Sequence, residues 1–305
     1  MIRLIGILIG LGFVIVASWS LGTGVKKYLK DPPKESIEHH FHEAPRDVAF
    51  SFDGPFGTYD RQQLQRGFQV FKEVCASCHG LSYVAFRNLE ELGYHEEEIK
   101  AVADKWQIEV PSIDPKTGEA ATRKALPADR FPDPYPNETA ARAANNNALP
   151  PDLSLITKAR HGGPAYLVSL LTGYRNPPAD LPEEARPGEG LHYNPYFANL
   201  NIAMPPPLTA DGQVSYADGT NPTREQMAKD VAAFLTWTAE PRLENRRAAG
   251  LATLVFLIFA TILAYMAYQN IWHGGASRRV RPTGPLDPEN MAKRDAANRE
   301  AGMEG

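Results

Sequence analysis

Two long apolar runs frame a chain that is otherwise mostly polar. The first covers residues 2–21 and carries a single early arginine. The second covers residues 248–271 without a charge. At about 1.5 Å per residue, a helix of this length exceeds the roughly 30 Å hydrocarbon core of a bilayer. The pattern predicts a signal peptide or N-terminal membrane anchor at residues 1–25 and a transmembrane helix at residues 248–272.

The residues that flank the second run indicate its orientation. Tyr265, Tyr268 and Trp272 crowd its far end, as interfacial aromatic residues do. More cations follow the run than precede it: Arg242, Arg246 and Arg247 come before, and Arg278, Arg279, Arg281, Lys293, Arg294 and Arg299 come after. Because cytoplasmic flanks carry the excess of cations, we expect the tail, residues 273–305, in the cytoplasm and the large domain, residues 26–247, outside it.

Composition narrows the class of protein. The 305 residues are 43% hydrophobic, which is enough for a real core. The net charge is −4, and no basic cluster is interleaved with aromatic residues. The sequence therefore argues against a nucleic-acid-binding surface. The 26 prolines concentrate between residues 111 and 222 and indicate long ordered loops. Acidic clusters such as LEELGYHEEEI fit a solvated surface, and attraction of a basic partner is the alternative.

The stretch EVCASCHG contains the only two cysteines of the chain, Cys75 and Cys78, followed by His79. C-x-x-C-H is the attachment signature of a c-type haem, in which two thiols form thioethers and the imidazole binds iron. A zinc site is the weaker alternative, because the second pair of ligands is missing. A redox dithiol or a chance match are the others.

The residues before the motif favour haem over a thioredoxin-like dithiol. Leu64, Phe68, Phe71 and Val74 recur at helical spacing in YDRQQLQRGFQVFKEV. This spacing predicts an amphipathic helix that runs into the cysteines, where a dithiol of the thioredoxin kind would follow a strand.

A c-type haem that transfers electrons has a second axial ligand, and Met204 is the favoured candidate. It lies in NLNIAMPPPLT, where the following prolines stiffen the loop and remove backbone donors. Of the other methionines, Met227 fits the apolar side of a helix in TREQMAKDVAAFLTWTAE. Met1 starts the chain, Met266 lies in the predicted span, and Met291 and Met303 lie in the tail. His161 is the strongest rival, but Gly162 and Gly163 after it predict a tight turn that opens a helix at Pro164.

Four stretches together resemble the cytochrome c1 family, the haem subunits of cytochrome bc1 complexes. They are RGFQVFKEVCASCHGL, ARAANNNALPPDLSLITKARHGGPAYLVSLLTGYRNPP, GLHYNPYFANLNIAMPPPL and YADGTNPTREQMAKDVAAFLTWTAEPRLENRR. The resemblance runs from about residue 50 to residue 272. It implies a mainly α fold, in which a class I c-type cytochrome-like helical domain with long ordered loops is followed by one C-terminal transmembrane helix.

The resemblance also assigns roles to residues. It implies one covalent haem c on Cys75 and Cys78, with His79 and Met204 as the iron ligands. It implies a pocket formed by the remaining matched positions: Asn145, Pro150, Pro151, Arg160, Tyr166 and Leu171, with Arg160 on a propionate. Asn147 stands where most relatives have glycine, and because asparagine tolerates a left-handed backbone we expect that turn to be kept.

The resemblance implies an electron carrier that makes and breaks no substrate bond. As a subunit of quinol–cytochrome c reductase, it would take one electron from a Rieske iron–sulfur protein and pass it to a soluble or membrane-tethered cytochrome c. Cytochrome b and membrane lipid would be its other partners, in a dimeric complex. The ends of the chain indicate a proteobacterial member, with its haem domain in the periplasm and its anchor in the inner membrane. A free-standing, membrane-anchored electron shuttle is the alternative.

Overall fold

The computed structural model describes residues 2–32, 36–272 and 288–302 and divides into two compact units, residues 1–241 and 242–305. The described helices of the first unit are α1 Ile2–Lys30, α2 Ile37–Phe41, α3 Arg61–Val70, α4 Glu96–Asp104, α5 Glu138–Ala144, α6 Ile156–Ala159, α7 Gly163–Thr172 and α8 Arg224–Ala239. Those of the second unit are α9 Leu243–Trp272 and α10 Pro288–Glu300. The predicted mainly helical fold is confirmed.

Strands are few, and the sequence did not predict them. An antiparallel hairpin joins β1 (Val110–Ile113) to β2 (Ala120–Arg123). A second, shorter hairpin joins β3 (His192–Tyr193) to β4 (Asn201–Ile202). Short 3-10 helices at Phe86–Leu92 and Glu183–Ala185 lie in the loops between the α-helices. The predicted long loops are therefore ordered by local turns and small hairpins.

Two helices in the described part of the chain, α1 and α9, are long and apolar enough to cross a membrane. No residue in their most apolar windows is buried within the protein. α9 begins at Leu243 rather than at Ala248, so the predicted span lies within a slightly longer helix. Of the cations that indicate the orientation, Arg278, Arg279 and Arg281 lie outside the described residues, whereas those from Lys293 onward lie on α10. Both a signal peptide and an anchor fit α1, and the sidedness of the tail stays a prediction.

The centre of the first unit is α8, against which α3, α6 and α7 pack. Thr223 caps its first turn, since its side chain accepts a hydrogen bond from Gln226 N at 3.1 Å. The apolar side expected of this helix is buried, Met227 and Phe234 completely so. The buried surface extends beyond the predicted apolar side, because small residues such as Ala228 let neighbouring elements cover the helix almost all round.

A buried carboxylate connects α8 to α3. Asp230 is fully buried and accepts hydrogen bonds from Gln63 Nε2 at 3.0 Å, Arg66 Nε at 2.9 Å and Gln226 Nε2 at 2.8 Å. These three donors come from α3 and from α8 itself. Because a buried charge is tolerated only when it is paired and hydrogen-bonded, this cluster fixes the relative position of the two helices.

At Gly67 the backbones of α3 and α8 approach each other closely. A Cβ added there would lie 2.1 Å from Asp230 O and 2.7 Å from Phe234 Cβ. We expect Gly67→Ala to destabilise the domain by about 1–3 kcal/mol or more, since overpacking forces backbone shifts. Thermal unfolding of the detergent-solubilised protein checks this. Gly188→Ala is the control, because no atom lies within 4 Å of the position that its Cβ would take. Equal unfolding temperatures for the two variants would contradict the packing argument.

Candidate functional site

The cysteine motif lies where α3 changes its winding. The helix continues from Val70 into a π-turn over Phe71–Cys75, in which Ala76 N donates to Phe71 O at 2.8 Å. Cys75 O then accepts from both Cys78 N, at 3.1 Å, and His79 N, at 2.9 Å. The predicted helix leading into the motif is confirmed. Its widened last turn, a feature that often marks functional sites, brings both thiols and the imidazole into one tight bend.

The imidazole of His79 is oriented by a backbone carbonyl. Its Nδ1 lies 2.8 Å from Pro151 O. Because a carbonyl only accepts, Nδ1 carries the proton and Nε2 keeps its lone pair. Burial lowers the pKa of His79, and Pro151 and Asp152 oppose this only in part. The ring is therefore neutral at physiological pH, with Nε2 in the form that binds a metal.

The two cysteines are free and half-buried. Burial, and secondarily the neighbouring Cys78, raises the pKa of Cys75 to about 12. Catalytic dithiols work with thiolates of lowered pKa, so this environment argues against a thioredoxin-like role. Tyr135 Oη lies 3.8 Å from Cys78 Sγ and contributes to the surroundings of the second thiol.

A carboxylate secures the chain next to Pro151. Asp152 Oδ2 accepts from both N and Oγ of Ser82 at 2.8 Å, and its Oδ1 accepts from Ser154 N at 2.8 Å. Burial raises the pKa of Asp152, but these hydrogen bonds lower it by more, so the net shift is downward. The Asp152 carboxylate therefore links two segments: the one that contains Pro151, whose carbonyl accepts from His79, and the one around Ser82, just after His79.

The turn at Asn147 is kept, as predicted. Asn146 and Asn147 have φ values of 51° and 63°, in the left-handed region that asparagine tolerates. Asn147 N donates to Arg142 O at 2.8 Å, and the Arg142 side chain donates back to Asn147 O at 3.1 Å. A Cβ at Gly190 would lie 2.9 Å from Asn146 Nδ2, so this turn lies alongside the loop that leads into β3.

Met204 follows β4 and is half-buried. Tyr174 Oη donates to Met204 O at 3.0 Å. Burial, and secondarily Tyr166, raises the pKa of Tyr174 well above its usual range, so the phenol stays a neutral donor. The methionine backbone is thus held by a side chain that lies just beyond the end of α7.

The turn predicted before α7 is confirmed. Gly162 and Gly163 have φ values of 85° and 52°, and the helix begins at Gly163. Arg160 and Tyr166 lie on either side of this turn within hydrogen-bonding distance, and attraction to Arg160 partly offsets the rise that burial causes in the pKa of Tyr166. His161, the rival ligand, is exposed.

The candidate residues form two groups of contacts. His79 and Pro151 make one group. Arg160, Tyr166 and Met204 make the other, since Tyr174 contacts Met204 and lies close enough to Tyr166 to influence it. The remaining candidates, Asn145, Pro150 and Leu171, are half-buried. In residues 2–32, 36–272 and 288–302, no three His, Cys, Asp or Glu side chains converge as a metal cluster.

Comparison with known proteins decides the family. The model of the cytochrome C1 family matches residues 50–274. The chain belongs to the cytochrome C1 family. A potato cytochrome c1-2 heme protein (Solanum tuberosum) is 48% identical over 262 residues, which are 85% of this chain and 98% of that protein. Cytochrome c1 of Rhodospirillum rubrum is 46% identical over 235 residues, covering 73% and 85% of the two chains.

A third relative has a different arrangement. The protein named cytochrome b/c1 of Bradyrhizobium diazoefficiens is 46% identical over 248 residues, which are 75% of this chain but only 36% of the relative. As a cytochrome c1, the present chain is the electron-transferring haem subunit of a membrane-bound bc1 complex, and the predicted cofactor, haem c, is confirmed at the level of the family.

The donors found in this cytochrome c1 fit that cofactor. The thiols of Cys75 and Cys78 are free, and the imidazole of His79 is neutral with Nε2 available. All three groups lie at one bend of the chain. Sequence reasoning missed Asp152 and Tyr174. A local signal existed for Asp152, because Asp-x-Ser is typical of a turn in which the carboxylate accepts from the backbone two residues on. The partner of Tyr174 is 30 residues away, and no local pattern indicates it.

Proposed function

We propose that this cytochrome c1 takes one electron from a Rieske iron–sulfur protein and passes it to a soluble or membrane-tethered cytochrome c, within a quinol–cytochrome c reductase. The observation that carries the proposal is the contact of His79 Nδ1 with Pro151 O at 2.8 Å, directly after a pair of free cysteines. That contact orients the imidazole and leaves its Nε2 free to bind an iron.

The proposed attachment uses the thiols of Cys75 and Cys78 for two thioether bonds. His79 Nε2 and the sulfur of Met204 are the proposed axial ligands. When bound, the haem supplies a reversible one-electron step. The neutral state of His79, enforced by burial, keeps its lone pair available, and the soft thioether of Met204 favours the reduced iron and so raises the potential.

The proposed pocket wall comes from the two groups of contacts around these ligands. Pro151 orients the imidazole of His79 through its carbonyl. Asn145 and Pro150 precede Pro151 in the same turn-rich segment. We assign Arg160 to a haem propionate, because its guanidinium is exposed and charge-assisted hydrogen bonds to carboxylates are strong. Tyr166 and Leu171, both on α7, complete the set.

The proposed partners follow from the anchor and from the relatives. The name cytochrome b/c1 of the Bradyrhizobium relative supports cytochrome b as a partner. Helix α9 supplies a lipid-embedded anchor, which keeps the domain near membrane-bound partners at high effective concentration. We place the haem domain in the periplasm, the anchor in the bacterial inner membrane and the tail in the cytoplasm, in a dimeric complex.

Purification in mild detergent tests the proposal. We expect a tagged chain to bring down a multi-haem b-type subunit and an iron–sulfur protein, and we expect quinol to reduce its haem only while the iron–sulfur protein is present. An unrelated tagged membrane protein from the same cells controls for adventitious capture. A chain that purifies alone, and whose haem quinol reduces without those subunits, would instead be a free-standing electron shuttle.

A further inference from the structure

We propose that Tyr174 and Asn194 are positioning residues that hold the loop of Met204 against the end of α7. The inference rests on the proposed role of Met204 as the distal ligand. Neither residue is assigned to contact the haem. They act through the backbone that carries the methionine sulfur.

Asn194 connects the β3–β4 hairpin to α7. Its side chain is fully buried. Nδ2 donates to Leu170 O, in the last turn of α7, at 2.8 Å, and Oδ1 accepts from Tyr196 N at 3.1 Å. Its backbone N donates to Leu200 O at 2.7 Å. At this helix end Leu170 O accepts a long bond from Gly173 N, at 3.4 Å, in place of the regular bond of a helix interior, so the Asn194 amide both caps the helix and secures the hairpin.

The hairpin needs such support from outside. Each of its strands has only two paired residues, His192–Tyr193 and Asn201–Ile202, and isolated hairpins are marginally stable at best. Leu200, fully buried at its turn, has a φ of 65°, which is costly for a residue other than glycine. The hairpin therefore adopts this geometry only while contacts such as those of Asn194 hold it.

Tyr174 secures the other end of the same segment. Met204 is followed by Pro205, Pro206 and Pro207, none of which has a backbone N–H to donate. The loop is held instead through its carbonyls: Tyr174 Oη donates to Met204 O at 3.0 Å, and Gln213 Nε2 donates to Pro207 O at 2.8 Å. Of these two contacts, the tyrosine is the one at the methionine itself.

The consequence for a thioether ligand is direct. A weak sulfur–iron bond survives only if the loop that carries the sulfur is held in place, because a mobile loop lets water or a stronger ligand replace it. Loss of the Tyr174 hydroxyl removes one hydrogen bond to this loop. We therefore expect the equilibrium constant for displacement of the Met204 sulfur to rise about tenfold.

Tyr174→Phe in the intact complex tests this, since it keeps the ring and removes only the hydroxyl. The readout is the near-infrared thioether-to-iron band of the oxidised protein, followed as the pH is raised. We expect the pH at which the band disappears to fall by about one unit, which is the tenfold shift for displacement coupled to one proton. We also expect carbon monoxide to bind the reduced variant more readily.

Tyr193→Phe is the matched control. Tyr193 lies buried in the same hairpin, but its hydroxyl faces Arg175 rather than the methionine. In Tyr193→Phe we expect the thioether-to-iron band to disappear at the same pH as in the wild type. Asn194→Ala is expected to move the band in the same direction as Tyr174→Phe. If Asn194→Ala does not fold, Tyr174→Phe decides the matter alone.

The outcomes separate this inference from the proposed function. An unchanged band in Tyr174→Phe would overturn the positioning role while leaving Met204 as ligand. A wild-type protein without any thioether-to-iron band would overturn the ligand assignment itself. A shift as large in Tyr193→Phe as in Tyr174→Phe would show general loosening of the hairpin and would also overturn the positioning role.

Discussion

Replacing both Cys75 and Cys78 by serine should leave the mature polypeptide without any covalently bound haem. Serine matches cysteine in shape but cannot form a thioether, and the two thiols are the only cysteine sulfurs of the chain. We expect complete loss of haem staining on a denaturing gel and a polypeptide mass without the tetrapyrrole. Electron transfer by the subunit should be abolished with it.

The residues between the two cysteines provide a control for this experiment. Ser77 is exposed, and its hydroxyl donates only a long bond, 3.3 Å, to Val74 O, apart from a contact with Cys78 Sγ at 3.8 Å. We expect Ser77→Ala to retain the covalent haem in full. A haem adduct on the Cys75→Ser, Cys78→Ser protein would refute the attachment assigned to this motif.

Features set by neighbouring residues could be predicted from the sequence. The helix leading into Cys75 follows from apolar residues at helical spacing, and the turn before α7 follows from two adjacent glycines. The left-handed turn at Asn147 follows from the backbone tolerance of asparagine. In each case the cause lies within a few residues of the effect.

Features set by distant residues could not be predicted in this way. The acceptor of His79 is 72 residues away, and the donor to Met204 O is 30 residues away. The burial of α8 on nearly every side depends on three other helices, so its own sequence periodicity was an incomplete guide. The π-turn at Phe71–Cys75 likewise has no signature in the apolar spacing, which is regular across it.

The candidate site combines both kinds of feature. The chemistry-bearing residues stand in a short motif, whereas the groups that orient them come from other parts of the fold. Asp152 illustrates the second class, since its carboxylate ties the segment of Pro151 to Ser82, 70 residues away. Sequence motifs therefore predict where the cofactor is attached, and the fold shows which groups hold the candidate ligands in position.

Replacing Met204 by leucine should remove the proposed distal ligand while keeping a side chain of similar size. We expect the near-infrared thioether-to-iron band to disappear and carbon monoxide to bind the reduced protein. The potential should fall, because the thioether favours the reduced iron. If the thioether binds the reduced iron about a hundredfold to a thousandfold more tightly than the oxidised iron, the potential falls by about 120–180 mV for a one-electron couple. A redox titration of the purified complex measures this fall.

Met227→Leu is the matched control, because it makes the same chemical change at the other methionine of the domain. Met227 is fully buried on α8, where a swap between methionine and leucine of similar volume costs less than about 1.5 kcal/mol. We expect its band and its potential to match those of the wild type. The opposite pattern, with the band lost in Met227→Leu and kept in Met204→Leu, would move the distal ligand from the proline-stiffened loop to the core helix. Such a result would also remove the reason for Tyr174 to hold the Met204 carbonyl.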